Sequence, residues 1–373
     1  MTIHCRTFPH CGKTLRAALM LFVAACLLSC TKEHGPEETV TGDPICWDVI
    51  TMNEYQDVRY GTKALIEDYD DLRNACTILE THPAEKIGIF GSYTSAEDSG
   101  DAFTDTELWW WEKENGNPYP DAAGSASMWN YEGENVHWVN DADYVFKAYF
   151  PKSQVVLQPG SNSGKLLAVY DSQTSQYDLM VAHKALKAGS ENPVLMIFKH
   201  AIAALKFEFQ FINAGVSDNL IACWLENAQP NGFYTSSTLN FTEDISWPKS
   251  TADPVGTPMY YWQPVNPLPV TSSAAATAYN SMAAADNGSI YTGNNGWLLV
   301  IPQTTAGPES LQLCFKTTTG GDVVYRTGLP AMDIQPGKRH TFLVKISSTR
   351  IELKLSIADW NERDSSYEID FNK

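Results

Sequence analysis

Basic residues are scarce in this sequence: 26 Lys and Arg stand against 44 Asp and Glu in 373 residues, a net charge of −18. Nucleic acid and anionic lipid headgroups are thereby excluded as partners, since both need a basic footprint. Motifs that carry chemistry are equally sparse. No Gly-rich phosphate loop, nucleophile elbow or zinc-ligand spacing occurs. His34, His82, His137, His183, His200 and His340 are scattered, with no pair at i, i+4 and no Cys pair beside them. Asp68, Asp70 and Asp71, or Asp141 and Asp143, offer hard oxygen ligands without the spacing of a calcium loop, and read as solvated acidic loops. No metal, cofactor or catalytic residue is therefore expected, and the chain is read as a non-enzyme. The apolar run at residues 17–28 is too short to span a bilayer, which takes roughly twenty residues.

That run follows a basic start (Arg6, Lys13, Arg16), and no acidic residue precedes Glu33, the pattern of a secretory leader. Leu27-Leu28-Ser29-Cys30, just where polarity returns at Thr31-Lys32-Glu33, resembles the lipobox of bacterial lipoproteins. Val23-Ala24-Ala25-Cys26 is a second candidate box, but it would leave Leu27 and Leu28 exposed at the new terminus. The resemblance implies a signal peptide over residues 1–29 and lipidation at Cys30. Acyl chains of the palmitate kind would anchor the protein in the outer membrane, since two chains at about 0.8 kcal/mol per methylene hold stably. Residues 30–43, with Gly35, Pro36 and Glu37-Glu38, read as a flexible tether. An acidic segment after the lipidated Cys also resembles the surface-export signals of some Gram-negative lipoproteins.

Beyond the tether, short apolar runs follow one another at 87–93, 144–150, 298–301, 311–315, 341–346 and 351–357. In Lys206-Phe207-Glu208-Phe209-Gln210-Phe211 strict alternation puts three Phe rings on one face of a half-buried strand. Helical windows are few: residues 62–79 are one, and residues 200–205 a single turn. This is an all-β pattern of sandwiches rather than of a parallel sheet. A boundary near 213–219, rich in Asn, Gly and Ser, divides an N-terminal domain (44–213) from a C-terminal one (214–373). Residues 264–296, rich in Ala, Ser, Thr, Pro and Asn, read as a loop inserted in the second.

Cys46, Cys76, Cys223 and Cys314 remain beyond the leader. The even count permits two disulfides in any of three connectivities. Three of the four sit inside apolar runs, which favours buried free thiols acting as small hydrophobes.

Several segments add up to a family pattern. An early strand at 45–50 is followed by Ile87-Gly88-Ile89-Phe90-Gly91 and Tyr149-Phe150-Pro151-Lys152-Ser153. Then come Phe198-Lys199-His200-Ala201-Ile202, Leu299-Val300-Ile301-Pro302-Gln303 and Pro336-Gly337-Lys338-Arg339-His340, with a last strand ending Ile357-Ala358-Asp359-Trp360. In type and order these resemble the fimbrillin (Mfa-like) family of type V pilus subunits and related surface lipoproteins. The resemblance implies two tandem transthyretin-like β-sandwich (Greek-key) domains. It also implies a structural or adhesive role in a cell-surface pilus, assembled with other subunits by β-strand donation. A protease would remove the first strand, and Arg59, before Tyr60-Gly61, is the matching cut. An Arg59 that is merely a solvated loop residue is the competing reading.

At the other end, Ile351, Leu353, Leu355 and Ile357, and then Tyr367, Ile369 and Phe371, alternate with polar residues. Each set is a candidate donor strand, or else pairs within its own domain. Burying four such side chains would contribute on the order of 6 to 12 kcal/mol before ordering costs. Failing these, the chain reads as an anchor or accessory subunit. A different reading is a non-polymerising surface lipoprotein that binds a host or dietary glycan through Trp109, Trp110 and Trp111, with a host protein as the other partner these rings could contact. Three consecutive indoles cannot all face one side of a strand, so they form either an aromatic platform or a strand with rings packed inward.

Overall fold

The computed structural model describes residues 43–51, 66, 69–77, 85–111, 128–131, 134–211, 217–263, 267–271, 277–278, 297–308, 310–347, 350–360 and 367–370. Its elements begin with β1 (Trp47–Thr51), α1 (Tyr69–Cys76), β2 (Ile87–Thr94), β3 (Ser99–Trp111), β4 (Met128–Tyr131), β5 (Asp143–Phe150), β6 (Val156–Leu157), β7 (Leu166–Asp171) and β8 (Met180–Lys187). There follow β9 (Val194–His200), β10 (Ala203–Phe211), β11 (Ser217–Asn227), β12 (Ser236–Phe241), β13 (Ile245–Ser246), β14 (Met259–Trp262), β15 (Leu268–Thr271) and β16 (Thr277–Ala278). The last are β17 (Leu298–Val300), β18 (Gln303–Thr305), β19 (Leu311–Thr317), β20 (Tyr325–Gly328), β21 (Met332–Ile334), β22 (Lys338–Ile346), β23 (Ile351–Asp359) and β24 (Tyr367–Asp370). The fold is all-β, and its sheets face one another across apolar cores as in β-sandwiches.

The first sheet has the order β1-β9-β8-β5-β2-β3-β4. It curls until its two edges, β1 and β4, approach each other. Its inner face buries Ile87, Ile89, Phe103, Phe146, Met196 and Phe198 around Trp47 and Val49. Close packing leaves no room for a side chain at Gly88, where a Cβ would lie 2.3 Å from the Tyr149 ring. The outer face, through Phe90, Tyr149 and Val181, shares a core with the sheet β13-β12-β7-β6. A third core lies between β16-β10-β22-β23-β24 and β14-β11-β19-β20. It takes the Phe207, Phe209 and Phe211 face of β10, whose burial alternates as the sequence reading requires.

Several expectations need correction. The helix occupies Tyr69–Cys76 rather than all of 62–79. Asp70 and Asp71 in its first turn complement the helix dipole, Asp70 pairs with Arg73 at 2.8 Å, and Leu72 and Cys76 supply its buried stripe. No helical turn forms at 200–205. His200 ends β9, Ala201 and Ile202 cross to the next sheet, and Ala203 opens β10. A run buried on every side looks the same in sequence whether extended or helical.

Strands that precede residue 213 pair with strands that follow it. β10 runs parallel to β22, with Ala204 opposite Arg339 and Phe211 opposite Ile346, and β7 pairs with β12. Most of 264–296 lies outside the described residues, yet β15 and β16 within it pair with β11 and β10. All four cysteines are free. Cys76, Cys223 and Cys314 are buried, whereas Cys46 is exposed despite its apolar neighbours, because it alternates with the inward Ile45 and Trp47.

Candidate functional site

Residues 43–51 form a narrow segment held on two sides. Along one flank β1 runs parallel to β9, with Trp47 opposite Val194, Val49 opposite Met196 and Thr51 opposite Phe198. Parallel pairs are slightly weaker per residue than antiparallel ones, and this pair is five residues long at the sheet's edge. Along the other flank Ile45 N–H donates to Val136 O at 2.8 Å and Trp138 N–H to Asp43 O at 3.3 Å. β1 thus closes the seam of the curled sheet.

The alternation of Ile45, Trp47 and Val49 sends all three side chains inward, where each is buried. The Trp47 ring stands edge-on to Phe103 (5.2 Å) and Phe146 (5.0 Å), and Trp138 stands edge-on to Tyr144 at 4.7 Å. Trp47 Nε1–H and Trp138 Nε1–H find no acceptor among the described residues. The opposite wall is fixed by phenols: Tyr131 accepts from Val136 N–H and Tyr144 from Val139 N–H, at 2.8 and 2.9 Å. Burial pushes both phenols up, which keeps them neutral.

Sequence reading missed the clamp at the head of β1. Asn192 Nδ2–H donates to Pro44 O at 3.1 Å and Asn192 Oδ1 accepts from Cys46 N–H at 2.9 Å. In sequence, Asn192-Pro193 signals only a turn. Partial desolvation and the Asp43 carboxylate raise the Cys46 thiol pKa, so it is no activated nucleophile.

Both candidate donor strands lie in the C-terminal sheet. β23 is flanked on both sides, pairing with β22 from Ile351–Ile346 to Asp359–Lys338 and with β24. Leu353 and Leu355 are buried, and Ile351 and Ile357 are half-buried against the same core. β24 is the edge strand, with Tyr367 opposite Ile357 and Ile369 opposite Leu355. Cys30, Arg59 and Phe371 lie outside the described residues.

The tryptophan run sits on β3. Trp109 is buried, with the Lys86 ammonium 5.7 Å from its ring centre. Trp110 is half-buried, edge-on to Trp129 at 5.5 Å, with the Arg73 guanidinium 5.6 Å away. Trp111 pairs with Met128, and its side chain lies outside the described residues. Trp109 is thus enclosed, and Trp110 keeps part of its ring exposed.

His200 is a packing residue: its Nδ1 lies 2.9 Å from Asp178 Oδ1 and its ring stacks on Trp360 at 4.3 Å, while Asp178 Oδ2 accepts from Ile66 N–H. Among the described residues no three His, Cys, Asp or Glu side chains converge on a metal-sized site, and no helix is long and apolar enough to cross a membrane.

A solved fimbrial protein from Bacteroides vulgatus shares this fold, with a TM-score of 0.55 and 16% identity over 85% of this chain and 99% of its own. A candidate cell adhesion protein from Bacteroides ovatus gives 0.49 and 15%, over 87% of this chain and 99% of its own. A fimbrial assembly protein from Parabacteroides distasonis gives 0.36 and 9%, over 88% and 99%. Among curated proteins, none matches the chain. The sequence model described as fimbrillin-like matches residues 77–360, from the end of α1 to the Trp360 that follows β23. With more than half of its length matched, the chain belongs to the fimbrillin-like family.

Proposed function

We propose that this protein is a structural or adhesive subunit, or an accessory protein, of a cell-surface pilus, joined to other subunits by β-strand donation. The observation that carries this reading is β1: a five-residue edge strand, parallel to its neighbour, whose Ile45, Trp47 and Val49 fill a preformed groove. Cleavage after Arg59 would release it. The groove would then offer the free β9 edge and three apolar pockets at alternate positions, which is what an added strand recognises. Refilling the pockets at about 1.5–3 kcal/mol per side chain supplies roughly 5–9 kcal/mol before ordering costs.

The donor would be the C-terminal end of another subunit, of the same or a different kind. β24 suits exchange better than β23, since β23 is hydrogen-bonded on both flanks. Tyr367, Ile369 and Phe371 have the same alternate spacing as Ile45, Trp47 and Val49. Before assembly the chain would sit at the cell surface, tethered to the outer membrane through acylated Cys30 and residues 30–43. The role is one of assembly and contact rather than catalysis, in keeping with the family. A chain lacking residues 361–373 should remain folded and accept a donor strand but give none. Polymers of normal length from that truncated chain would exclude donation from this end.

A further inference from the structure

The loops around β12–β13 and the β18–β21 pair enclose an open cleft of about 480 Å³, within the size range of small-ligand sites. Asn231 and Lys249 also line a second cleft of about 600 Å³, so the two clefts share these residues as a common wall. None of the residues of the β1 groove takes part.

The walls are fixed before any ligand arrives. Trp247 Nε1–H donates to Ala201 O at 2.7 Å, which sets the indole. Ser237 Oγ holds Pro248 O at 2.9 Å, and Thr235 N–H donates to Asp253 Oδ2 at 2.8 Å, pinning both ends of the segment that carries Lys249. At the floor Gln303 accepts from Tyr234 N–H and donates to Tyr234 O. Gly232 has no space for a side chain, since a Cβ would lie 2.4 Å from Asn227 Oδ1. Such preorganisation lowers the cost of binding.

The polar groups on offer are mixed in kind. The Asp333 carboxylate takes one bond from the Thr304 hydroxyl (3.2 Å) and one from the Gln335 amide (2.9 Å), and keeps further lone pairs free. Lys249 is exposed and has no ion pair among the described residues. Asn231 and Gln335 supply amides that both donate and accept. One cation against Asp253 and Asp333 leaves the groove net negative, inside a chain of −18. Phosphate and acidic sugars are disfavoured by that field. A ring-shaped ligand that has hydroxyls of both bonding senses and an apolar face meets all of these groups, with Trp247 as the flat apolar surface.

We propose that this groove binds a neutral oligosaccharide, with Trp247 under a sugar face and Asp333, Gln335, Asn231 and Lys249 bonded to its hydroxyls. The site stands whether or not the chain polymerises.

The test is a glycan array that carries neutral, sialylated and uronic-acid oligosaccharides, probed with the whole chain, followed by calorimetry on the best neutral hit. Binding of neutral glycans should be insensitive to added salt and weakened about tenfold or more, roughly 1.4 kcal/mol, by Asp333→Ala or Gln335→Ala. Trp247→Phe should weaken it too, with melting temperatures unchanged for the two exposed-site variants and Trp110→Phe without effect. Failure to bind any neutral glycan, preference for acidic ones, or binding untouched by the groove substitutions would overturn the assignment.

Discussion

The indole of Trp47 stands at 83° to the Phe146 ring, centroids 5.0 Å apart, and ties an edge strand to the centre of the first sheet's core. Phe146 belongs to β5, in the middle of the sheet, so this one contact spans the curled interior. Trp47→Ala should therefore destabilise the intact chain by about 3–5 kcal/mol, read from urea unfolding midpoints at constant slope. A loss below about 1 kcal/mol would mean that the seam is closed by other contacts.

His340 on β22 is fully buried, with Leu205 and Ile357 as its cross-strand neighbours. Burial pushes its pKa down to about 4 from 6.5. The unfolded chain takes up this proton more readily than the folded one. The contribution is thus intact above about pH 6.5 and is lost as pH falls toward 4, amounting to about 3 kcal/mol. Unfolding of the native chain and of His340→Met, compared from pH 7.5 to 4.5, should show a shallower acid loss in the variant. Parallel curves would place the acid sensitivity in other groups.

Free thiols give a counting experiment. Without reductant, a thiol reagent should modify Cys46 in the folded chain that begins at residue 31 and so lacks Cys5, Cys11, Cys26 and Cys30, faster as pH rises because its pKa lies above the usual thiol value. Cys76, Cys223 and Cys314 should react only after denaturation. Disulfides among these four would show as reactive groups that appear only after reduction.

Much of the fold was legible because alternation reports burial directly. The Phe207, Phe209 and Phe211 face and the inward Leu353 and Leu355 are where the period-two pattern puts them. Residues 200–205 misled because Ala201, Ile202, Ala203 and Ala204 are all buried, and a run without a polar face carries no period. The seam was only half legible: the pattern of Ile45, Trp47 and Val49 is in the sequence, but their parallel pairing with β9 joins residues nearly 150 positions apart. Nothing local announces Asn192 as the clamp. The groove beside Trp247 was invisible for the same reason, since its groups come from four separated stretches of chain. The tryptophan run was conspicuous in sequence, yet Trp109 is buried in the fold.

The central claim, that β1 is an exchangeable strand, is tested most directly by treating the whole chain carrying Cys30→Ala with an arginine-specific protease. N-terminal sequencing, unboiled gel electrophoresis and electron microscopy would follow the products. The account predicts a cut after Arg59, loss of the segment that carries Trp47, and ladders or filaments that resist dissociation without boiling. A chain cut at Arg59 that keeps β1 and stays monomeric, or one that forms the same filaments uncut, would contradict it.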